Sequence, residues 1–337
     1  MIMNKPVISV VMHAYNAANY IRESISCVLR QSLSDLELIV VDDCSTDDTW
    51  NIISEMAKHD SRLMVFQSSS NSGSAKYPRE VAVSKASADL ICWIDADDII
   101  PHDYLEILWH RQQQSKADIV CSQMIAFQND INNVQYALPD LSLKNHGEYV
   151  ISGREAVMMS IGKWQLNANG FIVKKSLWHG TSLFLNKDAN WMDADDVSTR
   201  EMLLSAEKVA FSDAIYYYRI HPEAITKKLS VKKFHTLITD EYVMRMIDSA
   251  FGEKSPQVRL VRNQYVSRIL SFMRLAVVNK SRLTGDDFSE IIALIKKHFF
   301  ACSADDIIHS DLKPMLKLIM LLPFNSALAV VNFINRK

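Results

Sequence analysis

Four short apolar runs punctuate the first hundred residues: VISVVM (7–12), LELIVV (36–41), RLMVF (62–66) and LICWI (90–94). They are rich in Val, Ile and Leu and do not alternate with polar positions, the pattern of strands buried on both faces. Between them the period changes. In NYIRESISCVLRQ, Ile21, Ile25, Val28 and Leu29 share one helical face. In DDTWNIISEMAKH, Asp47 or Asp48 can cap while Ile52, Ile53 and Met56 face inward. In YPREVAVSKA a proline stands near a helix start. Strand–helix alternation at this spacing predicts βαβ units in a parallel sheet.

Further along, ADIVCSQMIAF (117–127) reads as a fifth strand and residues 129–147 as an exposed loop. SGRE (152–155) is a capping box opening another helix. GFIVKKSLW and KVAFSDAIYYYRI read as strands, and from about Ser230 the pattern is helical to the end. The expected organisation is an α/β domain over 1–228 followed by a helical C-terminal extension over 229–337.

Composition adds three constraints. The 337 residues suffice for a full core and two structural regions. The formal charge of −2 hides an asymmetry: residues 221–337 hold 18 Lys+Arg against 11 Asp+Glu, so +7, and the rest of the chain is at −9. The five cysteines form no C-x-x-C pair and predict reduced thiols in a cytoplasmic protein. The apolar N-terminus lacks a small-residue cleavage site and reads as a strand, and no run of 18 apolar residues predicts a membrane-spanning helix.

In open α/β sheets ligands bind outside the carboxyl ends of the strands. The segments at those ends are HAYN (13–16), DDCSTDD (42–48), SSSNSGSAKYPRE (68–80) and DADD (95–98). Together they form an acidic crevice with one arginine, Arg79. Three carboxylates in four residues, Asp95, Asp97 and Asp98, repel one another unless something positive compensates. Asp98 could simply cap the next helix. Carboxylates at Asp95 and Asp97 suit Mg²⁺ or Mn²⁺, and such an ion bridges to substrate phosphates. No G-x-x-x-x-G-K-[ST] and no G-x-G-x-x-G is present, which argues against a P-loop or a dinucleotide site.

The order ISVVMHAYNAANYIRESISCVLRQSLSDLELIVVDDCSTDDT, then NSGSAKYPRE, then ADLICWIDADD, resembles family 2 glycosyltransferases of the bacterial polysaccharide type. The match is close over about 110 residues and looser to about residue 225. The resemblance implies the glycosyltransferase A fold, a mostly parallel Rossmann-like sheet flanked by helices. It divides the domain into a nucleotide-binding half (1–125) and an acceptor half (126–228). Ala14, Tyr15 and Asn16 would lie at the nucleotide, the latter two beside the base, and Asp43 would hydrogen-bond the base's ring N–H. Arg79 would sit near the phosphates. Asp95 would contact the ribose or the metal, and Asp97 would hold the metal on the diphosphate. The family usually has Pro where His13 stands, Gly where Cys44 stands and Asn where Glu80 stands. The first two departures bear on loop shape.

A second cluster, NWMDADDVSTREMLLSA, places Asp193, Asp195 and Asp196 before a helical pattern. Helix capping with dipole-favoured acids would account for it. The resemblance implies instead that Asp196 is the catalytic base of an inverting transfer, with Asp195 beside it to raise its pKa. YYYRIHPEAITKK is an edge strand and basic turn, or a loop closing on the diphosphate through Arg219, His221 or Lys227. His221 is a candidate third metal ligand. Trp164 and Trp191 are candidate sugar-stacking rings or simply core. The C-terminal KPMLKLIMLLPFNSALAVVNFINRK is a packed helical hairpin or a membrane-surface element.

The reading is a metal-dependent (Mn²⁺ or Mg²⁺) inverting enzyme of the hexosyl- or N-acetylhexosaminyl-transferase type. It uses a nucleotide-diphosphate sugar, UDP first among nucleotides, on a glycan or lipid-linked acceptor. Peripheral contact with the inner face of the membrane is expected, and no nucleic-acid partner. The alternatives are a sugar nucleotidyltransferase, which would want a Gly- and Arg-containing loop where HAYNAAN stands, and a non-catalytic scaffold of the same shape.

Overall fold

The computed structural model describes residues 5–128, 130–138 (backbone alone for 133–138), 149–161, 170–220, 229–252, 255–304, 307 and 312–334. The chain divides into two compact units, Met1–Asn190 with Ser198–Pro222, and Trp191–Val197 with Glu223–Lys337.

The first unit is built on one sheet. The four apolar runs form β1 (Ile8–Ala14), β2 (Leu36–Asp42), β3 (Leu63–Gln67) and β4 (Leu90–Trp93), with α1 (Ile21–Leu29), α2 (Thr49–Ala57) and α3 (Lys76–Lys85) between them. After α4 (Tyr104–Ser115) come β5 (Ile119–Gln128), β6 (Asp130–Leu138), β7 (Val150–Ile151), α5 (Gly153–Ser160), β8 (Ile172–Lys174), α6 (Lys175–His179), α7 (Ala194–Ser205) and β9 (Val209–Arg219). The strand order is β3-β2-β1-β4-β8-β5-β9-β7, with β6 on β5. Of the nine described strands six run one way; β6, β7 and β8 oppose them. The continuous apolar runs are buried as their pattern predicts: Val10, Val11 and Met12 of β1 and Leu38, Ile39 and Val40 of β2 have no exposed surface.

Two stretches depart from the pattern. Part of the expected loop at 129–147 is β6, which pairs antiparallel with β5. Its sequence DINNVQYAL is too polar to read as a strand, and the free edge of β5 recruits it. The expected strand GFIVKKSLW yields only three paired residues before turning into α6. Elsewhere the local chemistry holds. Asp47 Oδ1 accepts from the backbone N–H of Thr49, the first residue of α2, at 3.0 Å. The capping box of α5 forms in both directions between Ser152 and Glu155. None of the five cysteines forms a disulfide.

The second unit is helical: α8 (Val231–Phe234), α9 (Thr236–Phe251), α10 (Pro256–Val278), α11 (Gly285–Ala301), α12 (Pro314–Leu321) and α13 (Phe324–Ile334). Its core joins Phe234, Tyr265, Ile269, Met273, Ile291 and Ile295 to Ile319, Met320, Phe324 and Val331 of the last two helices. No helix among the described residues is long and apolar enough to cross a membrane.

Candidate functional site

Parallel pairing sets Ala14 opposite Asp42 and Asp42 opposite Gln67, so the carboxyl ends of β1, β2 and β3 share one edge of the sheet. β4 joins β1 in the same direction. At this edge Ala14 is buried and Tyr15 is exposed.

Adjacent carboxylates after β2 have different roles. Asp42 is a brace, accepting from Ser45 N at 3.1 Å and Gln67 Nε2 at 3.0 Å. Asp43 Oδ2 accepts from Ser72 N at 2.9 Å and Ser72 Oγ at 2.8 Å. Its Oδ1 is buried and has no hydrogen-bond partner among the described residues. An unpaired buried carboxylate oxygen is costly, and a ligand N–H is one way to satisfy it.

The loops bearing these groups turn through left-handed backbone at Asn16 (φ 51°) and Cys44 (φ 61°). Asn16 Oδ1 accepts from Thr46 N at 2.8 Å and Asn16 N donates to Ser45 Oγ at 2.9 Å, stitching the β1 loop to the β2 loop. Asn tolerates this conformation; a cysteine there costs about 1–2 kcal/mol. Cys44→Gly is expected to match or exceed the native denaturant midpoint, within about 1 kcal/mol, whereas β-branched Cys44→Val should fall below it.

After β4, Asp95, Asp97 and Asp98 each bring a carboxylate oxygen within 4.8 Å of the others. Asp98 does not cap α4, whose N-cap is Asp103. It is fully buried, its Oδ2 accepting from Tyr216 OH at 2.6 Å and its Oδ1 from Arg219 N at 2.8 Å. Burial, then the charges of Asp97 and Asp95, push it well above the usual carboxylate range. The Tyr216 oxygen also accepts from Asp95 N at 3.1 Å. Tyr216→Phe removes a bridge between both ends of the acidic turn and is expected to lower stability by about 1–3 kcal/mol in denaturant titrations.

Arg219 is placed otherwise than as a cation of a closing loop. Its Nε donates to the Asp97 carbonyl at 2.7 Å and its Nη2 to Glu23 at 2.7 Å. It is nearly buried between the rings of Tyr20 and Phe127. Arg219 therefore fixes the backbone that presents Asp97.

Around Asp95 three nitrogens converge on one oxygen. Trp93 Nε1 donates to Oδ1 at 2.7 Å, with Arg79 Nη2 at 3.5 Å and His13 Nδ1 at 3.6 Å. The Arg79 guanidinium lies over the Trp93 ring. Burial, then the Arg79 charge, hold His13 down at about 4 against the pull of Asp95, so its ring is neutral near pH 7.

Asp195 and Asp196 stand in the first turn of α7, the part of that helix that groups with the second unit, where the helix dipole favours acids. Asp193 precedes them at φ 60°, its carbonyl accepting from Asp196 N at 2.9 Å and its Oδ2 from Thr236 Oγ1 at 3.0 Å. Trp191 stacks on Tyr242, ring centroids 5.4 Å apart. Burial, then the Asp195 charge, raise Asp193 to about 6. A carboxyl raised in the folded state favours folding below its unfolded pKa near 4 and loses that contribution as pH climbs through about 6. Asn tolerates the left-handed backbone and can still accept from Thr236. Asp193→Asn is thus expected to stabilise the protein by about 1–2 kcal/mol at pH 7 and hardly at all below pH 4, read from melts across pH. His221, Lys227 and Trp164 lie outside the described residues.

Residues 9–167 match the family model described as glycosyl transferase family 2. Over that span the chain is similar to family 2 glycosyltransferases. GlyG of Streptococcus pneumoniae is 28% identical over 223 residues, covering 63% of this chain and 70% of GlyG. The putative teichuronic acid biosynthesis glycosyltransferase TuaG of Bacillus subtilis is 40% identical over 102 residues, 30% of this chain, and the match spans only 40% of TuaG. Among solved structures, Staphylococcus aureus TarS 1–349 in complex with UDP superposes with a TM-score of 0.68 at 18% identity, covering 98% of this chain and 91% of that one. The same TarS fragment with UDP-GlcNAc gives a TM-score of 0.64. The likeness extends the shared fold over nearly the whole chain.

Against the pattern of that family the three departures acquire physical meaning. His13 contributes a side chain to the Asp95 cluster, beyond any effect on loop shape. Cys44 carries a β-carbon where the backbone is left-handed. Glu80 forms a buried ion pair with Lys76 at 2.8 Å, and its Oε2 accepts from Leu185 N at 2.6 Å while Lys76 Nζ donates to Leu183 O at 2.5 Å. Glu80 and Lys76 thus tie the 183–185 segment to α3, one residue from Arg79. Sequence reading could have weighed the i,i+4 Lys–Glu spacing but had no sign of its burial.

Proposed function

We propose that the enzyme is an inverting, divalent-metal-dependent transferase that moves a sugar from a UDP-sugar to a glycan or lipid-linked acceptor in surface polysaccharide synthesis. A hexosyl or N-acetylhexosaminyl donor fits the family, and the complexes of TarS with UDP and UDP-GlcNAc favour UDP. The observation that carries the reading is the Asp95–Asp97–Asp98 cluster at the same sheet edge as the unpaired Asp43 oxygen.

In this reading the uracil N–H donates to Asp43, with Ala14, Tyr15 and Asn16 at the nucleotide and Arg79 near the phosphates. The two Asp98 oxygens are already engaged, so holding Mn²⁺ or Mg²⁺ falls to Asp97 and Asp95. His221 is retained as a candidate third ligand. The bound cation supplies the positive charge that a leaving diphosphate needs. Asp196, with Asp195 beside it, takes the proton of the acceptor hydroxyl as that oxygen attacks the anomeric carbon. The basic C-terminal segment makes peripheral contact with the inner face of the membrane, where a lipid-linked acceptor would be met.

Calorimetry with UDP, GDP and dTDP, each with Mn²⁺ and with a chelator, tests the donor half of the proposal. UDP should bind most tightly and only with the metal. Equal binding of all three nucleotides would remove the preference for UDP, and binding that survives chelation would remove the metal.

A further inference from the structure

Helix α12 is apolar on the side it buries and also on the side it exposes. Ile319 and Met320 pack into the helical core, 3% and 2% exposed. Met315, Leu318 and Leu321 are 57%, 65% and 48% exposed, and Leu322 just beyond is 37% exposed. At 100° per residue Met315, Leu318 and Leu321 share one arc, and Lys317 stands at its edge. A helix apolar all round is not built to face water. Phe300, at the end of α11 and 64% exposed, has its ring 6.4 Å from that of Phe324, the first residue of α13.

The charges in this stretch of sequence have one sign. Residues 312–337 contain Lys313, Lys317, Arg336 and Lys337 and no Asp or Glu. Lys296 and Lys297, exposed on α11, add two more positive charges one turn before Phe300. We infer that the outward face of α12, together with Phe300, docks on an anionic lipid surface. Its leucines and phenylalanine enter the interface and its lysines meet the headgroups.

A second copy of the chain fits this face less well. Isologous pairing would set Lys317 and its neighbours against their own counterparts. A few half-exposed side chains offer on the order of a few hundred Å², well short of the roughly 800 Å² per partner that a stable interface buries.

The inference deepens the peripheral contact proposed above by assigning it to named residues. Truncation cannot test it, because Ile319, Met320, Phe324 and Val331 belong to the core. Point variants on the exposed arc can. The full chain is floated at low salt with phosphatidylcholine vesicles, with and without phosphatidylglycerol. The wild type should float only when the anionic lipid is present. Leu318→Gln and Phe300→Ser should each bind about tenfold more weakly, and Lys313→Gln roughly fivefold, with unchanged circular dichroism and UDP calorimetry. No flotation of the wild type overturns membrane docking, and flotation of both apolar variants at the wild-type level overturns this face. Self-association in sedimentation velocity that Leu318→Gln abolishes would overturn it in favour of a second copy. UDP binding is read separately, so its failure in the wild type would sink the donor assignment and leave the vesicle result intact.

Discussion

Asp97→Asn is expected to abolish Mn²⁺-dependent UDP binding while the protein stays folded. The substitution is nearly isosteric and removes one anionic oxygen from a cluster whose members lie within 4.8 Å of each other. The backbone at this position is held from outside the side chain, by Arg219 Nε on the Asp97 carbonyl, so the turn should survive. Hard divalent cations depend on carboxylate charge, and an amide oxygen replaces it poorly. Calorimetry of UDP with and without Mn²⁺, alongside circular dichroism, reads both halves of the expectation. A mutant that keeps the native metal dependence would move the cation elsewhere. Asp98→Asn serves as contrast: its oxygens face Tyr216 and Arg219, so its main effect should be on stability.

The second large effect is expected at Asp196. Asp196→Asn should retain UDP binding and lower transfer by roughly 10²–10⁴-fold, the range for a removed general base. Asp195→Asn should cost less, since Asp195 acts through its neighbour's proton affinity. The readout is UDP release from the donor sugar that binds best, with binding measured independently. Unchanged release in Asp196→Asn, or a loss confined to Asp195→Asn, would assign the proton to a different group. Asp193 is the carboxyl that burial raises to about 6, so an effect of Asp193→Asn on transfer as well as on stability would point there.

The parallel half of the sheet is written in the local apolar pattern of the chain. Unbroken Val, Ile and Leu runs cannot sit at a surface, and the helical periods between them leave parallel pairing as the arrangement that buries both faces. It also placed the polar loops at one edge, because parallel strands end on the same side. The capping box at Ser152 was legible for a similar reason: its two hydrogen bonds join residues three apart.

Tertiary structure decided what each carboxylate faces. Asp42 and Asp43 are neighbours of the same type, yet one is braced by Gln67 and the other keeps an unpaired buried oxygen. Asp95, Asp97 and Asp98 read as one acidic run until β9 supplies Tyr216 and Arg219, more than a hundred residues away, and turns Asp98 inward. His13 became part of the site only when Arg79 and Asp95 were brought to its ring. β6 formed where the polar pattern gave a loop, since the free edge of β5 supplied its hydrogen bonds. Apolar periodicity is written locally because burial is a property of a whole strand or helix face. The partner of a polar atom is set by chain brought in from far away, and no local pattern encodes it.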